Sequence, residues 1–121
     1  MTVLIVDDEP LIRRSLAKAF LASQHEVFEA EDGLRGLDLW TRQKPDVVFV
    51  DVLMPGMTGP QLVQAVSPAI RAKTKIILMS AFTGGEGSRH ELTEKVDLFL
   101  AKPFDDIFKV VKMAEAVLGS K

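Results

Sequence analysis

Asp7-Asp8, Asp51, Ser80 and Lys102-Pro103 lie far apart in a chain of 121 residues, yet each follows a short apolar run. The runs, residues 2–6, 47–50, 76–79 and 98–101, are mostly β-branched, so each of these polar residues stands where a strand ends. In a parallel α/β sheet, ligands bind outside the carboxyl ends of the strands, and the four features would converge there. Three carboxylates, a hydroxyl and an ammonium in one crevice make a phosphoryl-transfer site that works with a divalent cation. With strand order 2-1-3-4-5, strands one and three are neighbours, which brings Asp7 and Asp8 beside Asp51. Like charges that close cannot all stay ionised without a counter-ion. Mg²⁺ answers that need, as a hard cation with oxygen ligands and retained waters. The backbone carbonyl of Leu53 offers a further oxygen. Lys102 is a second cation, and Ser80 offers its hydroxyl to an anionic oxygen. Pro103 is a candidate cis peptide that would fix the turn aiming the lysine.

Singly, each feature has an ordinary explanation. Carboxylates after strands cap helices or close turns, Lys-Pro is common loop composition, and one serine says nothing. The signal is their joint register along one α/β chain.

The elements that must position them alternate strand and helix about five times, the pattern of a doubly wound parallel sheet of the flavodoxin type. Residues 2–6 are uniformly apolar, as expected of a strand buried on both faces. A helix follows from Pro10 to about residue 23, with Ile12, Leu16, Ala19 and Phe20 at helical spacing. Residues 26–29 read as strand two. Asp32-Gly33 opens helix two, with Leu34 and Leu37 inward, and Lys44-Pro45 closes it. Strand three covers 46–50, and the turn-rich 53–59 leads into helix three. That helix carries Leu62, Val63, Val66 and Ile70 on its apolar face, and Pro68 ends or bends it. Strands four and five cover 75–79 and 97–101. A last amphipathic helix runs over 104–118 with Ile107, Val110, Val111, Ala114 and Val117 inward, stopped by Gly119. Between strands four and five, three glycines weaken a fourth helix over 83–95 to a loop and two or three turns. Gly84-Gly85-Glu86-Gly87 lacks the G-K-[ST] ending of a P-loop and reads as loop. His25 and His90 read as surface residues, Trp40 as lying away from the site, and Met54, Met57, Met79 and Met113 as packing. Phe104 and Phe108 are core or interface.

Composition narrows the function. The length suits one domain over residues 1–121, and 47% apolar residues suit a folded core. A net charge of −2 gives no footprint for nucleic acid or an anionic membrane. The lack of cysteine excludes disulfides, thiol catalysis and zinc-thiolate sites. No apolar run reaches the roughly 20 residues of a membrane span, and no signal peptide is visible, so a cytoplasmic location is expected.

The chain resembles the receiver domain of two-component response regulators, the CheY-like family, from residue 3 to about 118. The resemblance rests on V-D-D-E-P (6–10), P-D-V-V-F-V-D-V-L-M-P-G-M-T-G (45–59), I-I-L-M-S-A (76–81) and D-L-F-L-A-K-P-F (97–104). It implies that Asp51 accepts a phosphoryl group from a kinase phosphohistidine and that Asp7 and Asp8 hold the metal. Lys102 would contact the phosphoryl group, Ser80 would be the switch hydroxyl, and Phe99 the aromatic that turns inward. The face of helix four, strand five and helix five would then change shape for a partner to read. Implied partners are a sensor histidine kinase or phosphotransfer protein and a downstream protein target, with a phosphorylation-dependent dimer possible and no direct nucleic-acid or membrane contact. Phe99 lacks the hydroxyl of the family's common tyrosine, and Glu94-Lys95-Val96 replaces its small-residue approach to strand five. Leu53 and Phe82 are apolar, which suggests a shielded, long-lived phosphoform.

A switch of this kind is not an enzyme with an external substrate. The alternative is a Mg²⁺-dependent aspartyl-phosphate phosphohydrolase like the haloacid dehalogenase group, which places a second acid where this chain has Leu53. A flavodoxin-like flavin module is a third reading, though strand one is followed by acids rather than hydroxyl and glycine donors. No effector domain is visible, so the chain is a stand-alone receiver or one cut from a longer regulator, and Met1 directly before strand one suggests a natural N-terminus.

Overall fold

The computed structural model describes residues 1–80, 96–102, 104 and 106–119. Among them are five strands: β1 (Thr2–Val6), β2 (Glu26–Ala30), β3 (Val47–Asp51), β4 (Lys75–Ser80) and β5 (Leu98–Ala101). They form one parallel sheet in the order β2-β1-β3-β4-β5, as the sequence implies. The helices are α1 (Pro10–Ala22), α2 (Gly33–Gln43), α3 (Gly59–Ala65), α4 (Pro68–Arg71) and α5 (Ile107–Gly119). The weak helix expected over 83–95 lies outside the described residues, so α4 here is not that element. No helix among the described residues is long and apolar enough to cross a membrane.

Side chains alternate across each strand, so the sheet has two apolar layers. Val3, Ile5, Val47, Phe49, Ile77 and Met79 face α1 and α5, meeting Leu16, Phe20, Val110, Val111 and Ala114. Leu4, Val6, Val48, Val50 and Leu78 face α2 and α3, meeting Trp40, Leu62 and Val63. Both faces being covered is why β1 and β3 carry unbroken apolar runs. Trp40 is fully buried and donates from Nε1 to Thr74 Oγ1 at 3.1 Å, just before β4, at the opposite end of that strand from Ser80.

Several local expectations are corrected. Leu34 points outward, 70% exposed, and the inward face of α2 is Gly33, Gly36 and Trp40 with Leu37 half-buried. The helix lies so close to the sheet that a Cβ on Gly36 would stand 2.9 Å from Val6, which turns the helix on that face and leaves Leu34 outside. Pro68 does interrupt helix three: Val66 is extended, and Ser67 caps the separate turn α4. The last helix starts at Ile107 rather than 104, where the Asp106 carboxylate accepts from the Phe108 N–H, and Gly119 is its final residue. Phe104 packs on the α1/α5 layer, whereas Phe108 and Met113 are exposed. His25 is not a simple surface residue: its ring lies 2.6 Å from Glu115 and 3.1 Å from the Met1 amino group. His90 and Gly84–Gly87 lie outside the described residues.

Candidate functional site

Strand register assembles the site. Val6 pairs with Ala30 on one side and Val50 on the other, so the residues that follow, Asp7 and Asp51, stand side by side. Ser80 pairs with Ala101, and the Lys102 N–H donates to the Ser80 carbonyl at 2.9 Å, which brings the lysine to the same edge. Asp51 and Ser80 are themselves the last residues of their strands, one position further into the ladder than the apolar runs suggest.

A tight turn follows Asp51. Thr58 and Gln61 form a reciprocal capping box at the start of α3, and Gly59 donates to the Val52 carbonyl at 2.9 Å. A Cβ on Gly59 would come within 2.5 Å of the Asp51 carbonyl oxygen, so only glycine lets α3 close onto the end of β3. Thr58 and Gly59 thus set how α3 meets the end of β3 at Asp51.

The carboxylates of Asp7, Asp8 and Asp51 each offer an oxygen within 4.8 Å of the others. Asp7 and Asp51 are buried and Asp8 is exposed. Asp7 Oδ1 accepts from the Glu9 N–H at 2.9 Å, and its Oδ2 accepts from Lys102 Nζ at 3.2 Å. The same ammonium lies 3.4 Å from Asp51 Oδ2 and 2.9 Å from Glu9 Oε1. The Lys102 side chain is only 4% exposed, so these contacts operate with little water around them.

Asp7, Asp51 and Glu9 therefore share one ammonium, with the Asp8 carboxylate close beside them. Desolvation, and then the charge of Asp7, push Asp51 up to about 7, against the lowering effect of Lys102. Asp7 is also raised, chiefly by burial, although the Glu9 N–H and Lys102 oppose the rise. Burial pulls Lys102 down, but its hydrogen bond to Glu9 and the charges of Asp7 and Asp51 outweigh that and hold it above its ordinary value. An excess of hard oxygen donors, two of them buried and short of positive charge, is the chemistry a divalent cation such as Mg²⁺ fits.

Ser80 is buried at the end of β4. Phe99 is half-buried and packs on the α2/α3 layer rather than among the carboxylates. The Leu53 side chain is 62% exposed. Pro103 and Phe82 lie outside the described residues. Sequence reasoning gave no role to Glu9 or Arg13. Glu9 stands at the N-cap of α1 but makes no capping bond there, reaching Lys102 instead. Its place directly after the two aspartates was the available signal. Arg13 donates to the Asp7 carbonyl oxygen at 2.8 Å, and a side chain six positions along, on α1, gives no such hint.

Residues 3–114 match the family model of the response regulator receiver domain. The chain belongs to that family. The receiver is 34% identical over 107 residues to sporulation initiation phosphotransferase F of Bacillus subtilis, covering 85% of this chain and 82% of the relative. It is 35% identical to protein PilH of Pseudomonas aeruginosa, over 78% of this chain and 86% of that one. Against the regulatory protein AtoC of Escherichia coli the match, at 35% identity, takes in 85% of this chain but only 22% of the relative. Among solved structures, chemotaxis protein CheY4 of Vibrio cholerae superposes with a TM-score of 0.84 at 30% identity, covering 96% and 97% of the two chains. As a receiver domain of two-component systems, the protein is a phosphoacceptor signalling switch.

Proposed function

We propose that Asp51 accepts the phosphoryl group from a phosphohistidine on a sensor kinase or phosphotransfer protein, with Asp7, Asp8, Asp51 and the Leu53 carbonyl holding Mg²⁺. The observation that carries this reading is Lys102 Nζ, buried and within 3.4 Å of Asp51 and 3.2 Å of Asp7 at the edge of a three-carboxylate cluster. Mg²⁺ bound there would supply the positive charge that the carboxylates and the incoming phosphoryl oxygens lack. An Asp51 carboxylate oxygen attacks phosphorus in line. The new O–P bond forms as the N–P bond breaks, and the histidine nitrogen keeps the electron pair.

The acyl phosphate adds negative charge beside Lys102, which is already poised between Asp51, Asp7 and Glu9. Its ammonium turns to the phosphoryl oxygens without crossing water. The Ser80 hydroxyl donates to the same oxygens, and Phe99 repacks against the space so altered. The change spreads along β5 to α5, where a protein target reads it. Residues 1–121 act as one receiver, with no external substrate.

Intact mass after incubation with acetyl phosphate and Mg²⁺ tests this reading. A single phosphoryl adduct is expected, absent from Asp51→Asn and from a sample with chelator. Continuous turnover of small phosphate esters would favour a phosphohydrolase instead. No adduct on a chain that binds Mg²⁺ would contradict Asp51 as an acceptor open to small donors.

A further inference from the structure

Arg13 ties the metal-side turn to the edge of the sheet. It lies in the second turn of α1 with its side chain only 12% exposed. One guanidinium nitrogen, Nη1, donates to the main-chain carbonyl of Asp7 at 2.8 Å, and Nε donates to Glu29 Oε1 on β2 at 3.2 Å. The Asp7 N–H, for its part, donates to the Ala30 carbonyl at 3.1 Å. Both polar groups of the Asp7 backbone are therefore held to β2, one directly and one through the Arg13 fork. The Asp7 carbonyl belongs to the peptide plane that joins Asp7 to Asp8. Holding that oxygen fixes the rotation of the plane, and with it the direction in which the exposed Asp8 side chain leaves the turn. Asp8 lies between the end of β1 at Val6 and the start of α1 at Pro10, outside any ladder, and the one other hold on its turn is the Glu9 N–H donating across it to Asp7 Oδ1 at 2.9 Å.

We propose that Arg13 is a positioning residue for the Asp7-Asp8 pair, setting the metal affinity of the site through the Asp7 carbonyl and not through its charge. The proposal rests on the reading of the carboxylates as a Mg²⁺ site. Charge alone argues the opposite way. A guanidinium against the turn repels a cation, so deleting it on electrostatic grounds should tighten Mg²⁺ binding. Deleting it as a positioning group should weaken binding, since removal of partners that orient metal ligands costs about 10–100-fold in affinity. The sign of the change separates the two.

The test is Mg²⁺ affinity by calorimetry on the full chain, for wild type, Arg13→Ala and Arg13→Lys, with the melting midpoint of each measured in chelator. Arg13→Ala is expected to bind Mg²⁺ roughly tenfold more weakly. Arg13→Lys keeps the charge but loses the planar fork, and should fall between the other two. An Arg13→Ala affinity equal to or tighter than wild type overturns the proposal. Should that variant not fold, Arg13→Lys decides: equality with wild type overturns the role, and weaker binding at an unchanged midpoint upholds it. A wild-type chain that binds no Mg²⁺ fails differently, because it overturns the metal reading itself and this role with it.

Discussion

Asp51 is a buried carboxylate beside another buried carboxylate, and the metal-free fold carries that strain at neutral and alkaline pH. Its pKa is raised from 3.8 to about 7, first by desolvation and then by Asp7. In the unfolded chain the same carboxyl ionises near 3.8. Between those values the native state holds a proton that the unfolded state has released. Unfolding free energy from this group therefore falls as pH rises from about 4 to about 7, and the full penalty is present above that range. The distance between the two values corresponds to roughly 4 kcal/mol, and since Asp7 shares the crowding, removing Asp51 should recover about 3 kcal/mol of it. Asp51→Asn keeps the shape of the side chain without its charge. At pH 8 in chelator it should be more stable than wild type by that amount, or on the order of 10 °C in melting midpoint. Near pH 4 the two should be close. Urea unfolding across this pH range, with chelator present, measures both. An Asp51→Asn chain no more stable than wild type at pH 8, or a wild type whose metal-free stability rises through pH 4.5–7, would refute the reasoning.

Other perturbations probe separate parts of the account. Lys102→Met removes the ammonium shared by Asp51, Asp7 and Glu9; transfer from acetyl phosphate, followed by mass, should slow by roughly 10²-fold, and an unchanged rate would dismiss the lysine from the chemistry. Gly59→Ala forces a Cβ against the Asp51 carbonyl, 2.5 Å away, and should lower stability in urea by about 2 kcal/mol. Trp40 emission should stay unmoved on adding Mg²⁺, because the ring is bonded to Thr74, before the opposite end of β4 from Ser80; a clear shift would mean that metal binding repacks the α2/α3 layer.

The sheet and the convergence of Asp7, Asp8, Asp51 and Lys102 were legible because apolar strand runs and their polar ends are local signals in the sequence. Register needs no further information once the strand order is known: Val6 beside Val50 brings the acids together. The orientation of α2 was not legible. Leu34 sits at an apolar position of the helix, but the close approach of Gly36 to Val6 and Leu62 selects a different face, and glycine carries no hydropathy signal for that. Glu9 was missed for a related reason. Next to two aspartates and a proline it reads as a helix-start acid, whereas Lys102, 93 residues later, takes its carboxylate away from the helix. Arg13 was hidden because its partner is a backbone oxygen, which has no sequence identity to read.

The most direct test of the central claim is the location of the phosphoryl group. An acyl phosphate on an aspartate is reduced by borohydride to homoserine, leaving a permanent mark at the acceptor. Wild type treated with acetyl phosphate and Mg²⁺, reduced and mapped by peptide mass, should carry homoserine at position 51 alone, and none when chelator replaces the metal. Homoserine at position 7 or 8, or equal labelling with and without Mg²⁺, would contradict the account.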